Sequence, residues 1–360
     1  MSNPSTHSVR PANTLLIDFG DLGIRLGDWA GANNDPTTSG PGMSRLLSRG
    51  QTRSLPVNGR EAVTGFLLTG CADALIAWPA GPVGFLGGFG ERPKVVIRAD
   101  PVCLSPSADR LILSTAQMPK LSMADADSLV RYLNAGLEAR EARLYLSDAQ
   151  RWYLTLPAAP SGRWWAPWAL LGQHVLDFMP SGKGCELLNS LVTEVQMMLH
   201  EHPINLQREA AGLPLINSLW PWGWAMDEPE PEMPALLHAP QVSEIADADA
   251  YVAGLMMLAG EQPVSLSGDS HTSSHTSSHS SSDTADEKRP FALVSPQPGD
   301  SATEFRRRLE RDWCGPWSRD LLRGRIKRLR IASVDGDCCE VRRADLFRVW
   351  RRGLRMVDAD

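Results

Sequence analysis

The sequence predicts an α/β fold. Short apolar runs of strand length recur at 14–17, 95–98 and 291–294. Apolar residues at helical spacing recur at 126–137 and 186–200, and the two kinds of segment alternate along the 360-residue chain. The chain is long enough for one large domain or two smaller ones, and its 42% hydrophobic content supports a sizeable core.

The elements follow in order. Residues 1–13 are polar, read as disordered, and lack the apolar core of a signal peptide. Thr14 to Ile17 is an apolar run ending in Asp18, followed by Asp21; in α/β proteins such a run is a buried strand whose C-terminal end faces a site. Residues 28–42 read as a loop, Met43 to Arg49 as a short helix closed by Gly50, and Glu61 to Trp78 as helix then strand. The glycines of Gly81 to Gly90 predict a tight irregular loop leading into the strand Val95 to Arg98.

Residues 99–160 form the clearest α/β unit. Leu111 to Leu113 is a strand. Ser122 is an N-cap with Asp125 at the capping-box position, and Leu129, Val130, Leu133 and Leu137 line one helix face. Ala142 to Leu146 and Arg151 to Leu156 pair as strands across the polar turn 147–150. Trp168 to Met179, Glu186 to His200 and Ile245 to Leu258 are expected helices. Residues 265–289, a run of Ser, His and Thr, cannot bury enough apolar surface to offset their ordering entropy and read as a linker. Beyond it come a strand at 291–294, a helix at 301–313, strands at 326–331 and 338–341, and a helix at 344–351.

Composition limits the function. A net charge of −6 gives nucleic acid no broad basic surface, and no apolar run is long enough to cross a membrane. Six scattered cysteines, with no CxxC pair, suit a reduced cytoplasmic protein; adjacent Cys338 and Cys339 point to opposite faces of any strand they share. His271, His275 and His279 fall in the linker, where solvation outweighs metal binding. Trp220, Trp222 and Trp224 alternate, which places three indoles on one strand face, as a buried contact or as a platform. The basic run Arg323 to Arg330, followed by Arg342, Arg343, Arg351 and Arg352, is by default a solvated face, with binding of an anion or a partner as the alternative.

One stretch carries a resemblance. His202-Pro203-Ile204-Asn205, the segment through Arg208, Gly212-Leu213-Pro214, Asn217, and Trp220-Pro221-Trp222-Gly223 are similar in order and spacing to a run in archaeal-type, cofactor-independent phosphoglycerate mutases. Thr14 to Gly23, Gly42 to Gly50, Gly81 to Asp100 and Asp125 to Leu137 resemble further pieces of that family. Gln196 to Gly223 also looks like the bacterial RpfE-type regulatory proteins, which share its His-x-His-Pro-x-Asn and Asn-Ser-Leu-Trp patterns.

The resemblance implies an alkaline-phosphatase-like core sheet flanked by helices, built from 14–98 and 212–355, with an inserted α/β subdomain at 99–211. It also implies a hydroxyl nucleophile and two divalent metals, Mn or Mg, held by Asp and His side chains. Asp18, Asp21, Asp335 and Asp337 are the vestigial candidates for that site. No histidine follows His279, and Trp222 stands where the family carries a phosphate-binding arginine. The expectation is a non-catalytic, regulatory or protein-binding relative without a cofactor, its partner unspecified. The alternative is an active mutase or another metal-dependent phosphoryl-transfer enzyme.

Overall fold

The structure, a computed structural model, describes residues 13–19, 22, 25–26, 41–73, 75, 79–107, 110–113, 120–161, 165–170, 173–224, 249–260, 291–296 and 299–347. The segments predicted to be disordered, 1–13 apart from Asn13 and 265–289, lie outside these residues, as does Asp21.

Eleven strands are described. They are β1 (Asn13–Ile17), β2 (Gln51–Ser54), β3 (Val96–Val102), β4 (Leu104–Ser107), β5 (Arg110–Leu113) and β6 (Arg143–Asp148). β7 (Arg151–Thr155), β8 (Ser218–Trp222), β9 (Phe291–Val294), β10 (Arg328–Ser333) and β11 (Asp337–Arg342) follow. The helices are α1 (Pro41–Arg49), α2 (Arg60–Thr69), α3 (Ala80–Phe89), α4 (Met123–Leu137) and α5 (Cys185–His200). α6 (Pro203–Ala210), α7 (Ala250–Leu258), α8 (Ala302–Leu309) and α9 (Gly315–Arg323) complete the set. Among the described residues no helix is long and apolar enough to cross a membrane.

The chain forms two compact units. Unit one is Met1–Ala74, Met233–Asp249 and Ala259–Asp360; unit two is Leu75–Glu232 and Ala250–Leu258. The boundaries expected at 98/99 and 211/212 both fall inside unit two. β3 runs through the first of them, and β8 pairs along β3 from Val102 back to Arg98, so one sheet is continuous across both.

Unit one is a mixed five-stranded sheet in the order β2-β11-β10-β1-β9, flanked by helices. β1 lies parallel to both β10 and β9. A strand buried on both faces needs a continuous apolar run, which is what Leu15-Leu16-Ile17 provides. Leu15, Ile17, Ile331 and Val341 pack on one side against Leu46 of α1, Phe305 of α8 and Trp317 and Leu321 of α9. Cys338 and Cys339 are buried on opposite faces of β11 and are not disulfide-bonded.

The helix predicted over 301–313 starts at a Ser301–Glu304 capping box, passes through a π turn at Glu310–Cys314 and continues as α9. The π turn aims the Glu310 carboxylate at the start of α1, where it accepts from the amides of Gly42 (2.8 Å) and Met43 (2.9 Å). A carboxylate there satisfies helix-end donors and favours the dipole. The helix expected at 344–351 is a 3-10 turn at Arg343–Phe347, its remainder lying outside the described residues.

Unit two holds an antiparallel sheet, β6-β7-β3-β8, and the separate hairpin β4-β5. The Ser122 hydroxyl accepts from the Asp125 amide and starts α4. α4 and α5 cover one sheet face through Leu129, Leu133, Leu191 and Val195 against Ile97, Leu154 and Leu219.

The glycine-rich stretch predicted as a loop is helix α3. Its glycines serve close approach. A Cβ at Gly87 would lie 1.9 Å from the Ala250 carbonyl oxygen, and one at Gly254 would lie 1.9 Å from that of Val83. α3 and α7 therefore touch backbone to backbone, which more than offsets glycine's low helix propensity. The helix expected at 168–179 is two 3-10 turns, Pro167–Leu170 and Val175–Phe178. Between them His174 bridges to Ile112, and its Nδ1 accepts from the Leu111 amide at 3.1 Å, which holds this stretch extended.

Candidate functional site

The strand ends of unit one bring together the acids that sequence analysis singled out. Asp18 follows β1 directly, and its amide donates to Val294 at the end of β9 (3.0 Å). Asp335 sits in the β10–β11 turn and Asp337 opens β11. Partial burial pushes the Asp335 carboxyl above its ordinary pKa; the negative charges of Asp337 and Asp18 act the same way, and Arg25 opposes them. These acids share one edge of the sheet, beyond the C-terminal ends of β1, β9 and β10, where α/β folds place their sites.

Arg60 decides what this edge can do. It is the first residue of α2, and Gly59 before it offers no side-chain cap. Its Nη1 donates to Asp18 Oδ2 at 2.8 Å and to Ser295 Oγ at 3.3 Å, while its Nε donates to Asp249 Oδ2 at 2.8 Å. One guanidinium thus bridges two carboxylates, with Asp249 almost wholly buried and the other two side chains mostly so. Among the described residues no three His, Cys, Asp or Glu side chains converge on a point that a metal ion could occupy. Among the described residues, two of the carboxylates here, Asp18 and Asp249, are already bonded to an arginine, which supplies positive charge without coordination positions.

Sequence analysis did not find Arg60 or Asp249. Asp249 carries a weak signal, an acid directly before an apolar helix. Arg60 carries none, because its partners lie 42 and 189 positions away.

The motif from His202 to Trp224 lies in unit two, where its polar side chains tie backbone to backbone. His202 caps the start of α6, its Nδ1 accepting from the Ile204 amide at 3.2 Å, and Pro203 takes the first helical position. Tyr132 packs on the His202 ring, and burial lowers the imidazole pKa. Asn205 donates to the carbonyls of Leu199 and Ile216, both at 2.7 Å, and accepts from the Ile216 amide. Arg208 donates to the Pro214 carbonyl at 2.8 Å and to that of Lys120 at 2.9 Å. Asn217 pairs with both the amide and the carbonyl of Leu104.

Trp220 and Trp222 share one face of β8. The alternation stops there: Gly223 turns the chain at φ 70°, and Trp224 packs toward the α4–α5 core. Trp220 donates to the Trp165 carbonyl. Trp222 is 2% exposed and stands directly opposite Arg98 of β3. Its indole donates to Asp100 Oδ2 at 2.7 Å, and the Arg98 guanidinium lies 4.9 Å from its ring and 5.4 Å from that of Tyr153. Arg98 also bonds both Asp100 oxygens. A positive charge is present beside position 222, but it is buried and paired within the sheet.

The family-model match falls within this second unit. The family model described as 2,3-bisphosphoglycerate-independent phosphoglycerate mutase matches residues 90–205. This segment is similar to that family. The probable 2,3-bisphosphoglycerate-independent phosphoglycerate mutase of Geobacter sulfurreducens is 26% identical over 130 residues, covering 36% of this chain and 33% of that protein. The 2,3-bisphosphoglycerate-independent phosphoglycerate mutase of Methanothrix thermoacetophila is 26% identical over 149 residues, covering 41% and 36%. The chain thus spans about a third of the length of these curated relatives. Among solved structures, the PH0037 protein from Pyrococcus horikoshii aligns with a TM-score of 0.44 at 16% identity, covering 92% of this chain and 87% of that one. The cofactor-independent phosphoglycerate mutase from Thermoplasma acidophilum aligns with a TM-score of 0.39 at 16% identity, covering 96% of both. The phosphoglycerate mutase-like segment contains Arg98 and Asp100 but none of Asp18, Arg60, Asp249 or Asp335.

Proposed function

We propose that this phosphoglycerate mutase-like protein is non-catalytic and acts in the cytoplasm by binding another protein, in the manner of an RpfE-type regulatory protein. The observation that carries the proposal is the Arg60 bridge between Asp18 and Asp249. Metal-assisted phosphoryl transfer needs a cation that binds substrate oxygens and activates a nucleophile. A guanidinium balances carboxylate charge but has no open coordination position and generates no nucleophile. Trp222 supports the same reading, since the resemblance expects at this position an arginine that would hold a substrate phosphate.

The alternative, an active 2,3-bisphosphoglycerate-independent mutase, rests on the match over 90–205, which lies outside the strand-end site of unit one. Incubation of the purified protein with 3-phosphoglycerate and Mn²⁺ or Mg²⁺ tests the proposal. No 2-phosphoglycerate above the protein-free control is expected. Metal-dependent turnover, lost in Asp18→Asn, would overturn it.

A further inference from the structure

Helix α6 of unit two turns polar side chains inward. Asn205 and Arg208 are buried and bond backbone carbonyls of neighbouring segments. Ile204 packs on the α4–α5 core, whereas Pro203, Leu206 and Ala210 are exposed, Leu206 to 55%. Their three-four spacing sets them in one stripe along the helix. A surface helix ordinarily buries such a stripe against the core. Gly212 closes α6 at φ 66° with open space around it, and Leu213 directly after it is 51% exposed. At the start of α6, Tyr132 of α4 is 44% exposed and packs against the His202 ring, which extends the apolar surface onto α4.

The charges beside the stripe are acidic. Glu201 and Glu209 are both exposed, and among the described residues neither has an ion-pair partner. Arg208, the one cation of α6, is buried on backbone carbonyls, and Arg131 of α4 is paired with Asp127. We propose that this stripe docks an amphipathic helix of a partner protein. That helix presents apolar side chains to Leu206 and Leu213 and flanks them with Lys or Arg, which meet Glu201 and Glu209. The inference rests on the protein-binding role proposed above and names the kind of partner that role takes. A second copy of this chain fits the stripe less well. Its own α6 brings the same two carboxylates and no exposed cation, so like charges meet along the seam.

A fluorescent peptide of about 20 residues, with Leu at three-four spacing and Lys on the flanks, tests the proposal by anisotropy as the full chain is added. Saturable one-to-one binding is expected. Leu206→Ser with Leu213→Ser, both at exposed positions, should weaken it about tenfold or more, the effect of truncating central apolar contacts. The same peptide with Glu in place of Lys should bind about threefold or more weaker, and Glu201→Lys with Glu209→Lys should reverse that preference. The urea midpoint of each variant reports that it folds. No saturable binding, binding indifferent to the leucine variant, or equal binding of the two peptides would each overturn the proposal. So would self-association of the wild-type chain that Leu206→Ser abolishes, which makes the occupant a second copy. Turnover of 3-phosphoglycerate is measured apart from peptide binding, so failure of this site and failure of the non-catalytic reading are told apart.

Discussion

Replacing Arg60 by alanine tests, by stability, the bridge that its guanidinium forms between Asp18 and Asp249. The change leaves Asp249, only 3% exposed at its side chain, without the guanidinium Nε that it accepts from, and it removes the Nη1 bond to Asp18. Breaking a buried ion pair by deleting one partner costs about 3–5 kcal/mol. Arg60 and Asp18 are 15% and 18% exposed, so solvent screening lowers the expectation to roughly 2–3 kcal/mol. Because the chain has two units, hydrogen exchange at β1 and β9 is the suitable assay, since it reads unit one alone. Exchange there should accelerate by the corresponding free energy. Adding Asp249→Asn should recover part of the loss, because the stranded carboxylate is then gone. A loss under about 0.5 kcal/mol, the range of an ordinary surface change, would refute the reasoning. So would strictly additive effects of the two substitutions.

Two further outcomes follow from unit two. His202 accepts from the Ile204 amide through an unprotonated Nδ1, and burial lowers its pKa below the ordinary 6.5. The unfolded chain thus takes up a proton before the folded one, so stability should fall as pH drops below 6.5 and level off beneath the lowered folded value. His202→Asn keeps a capping side chain and should abolish that slope in denaturation measured between pH 7 and 5. Trp222→Arg restores the residue that the family resemblance expects, yet it sets a second guanidinium beside Arg98 and removes the indole donor to Asp100. It should destabilise unit two by roughly 3 kcal/mol or more, read from the urea midpoint; a change under about 1 kcal/mol would contradict the buried Arg98–Asp100–Trp222 arrangement.

Much of the fold was legible where local signals suffice. The buried run of β1, the Ser122 cap of α4, the β6–β7 hairpin and the apolar stripe of α5 all depend on residues close in sequence. The α3 glycines misled because their partners, Ala250 and Gly254, lie far along the chain and composition alone reads as a loop. α6 went unread because it is short and is held by Asn205 and Arg208 side-chain bonds rather than by periodicity. At the strand ends, Asp18 was visible as an acid after a strand, and Asp335 only through the family resemblance. Their chemistry was not, since it turns on one arginine at a helix start whose role exists only in three dimensions.

The most direct test of the central claim is an electron paramagnetic resonance titration of Mn²⁺ into the purified protein. With Arg60 bonded to Asp18 and Asp249, no Mn²⁺ binding that depends on Asp18 is predicted. Stoichiometric Mn²⁺ held by the wild-type chain and released by Asp18→Asn would contradict the account.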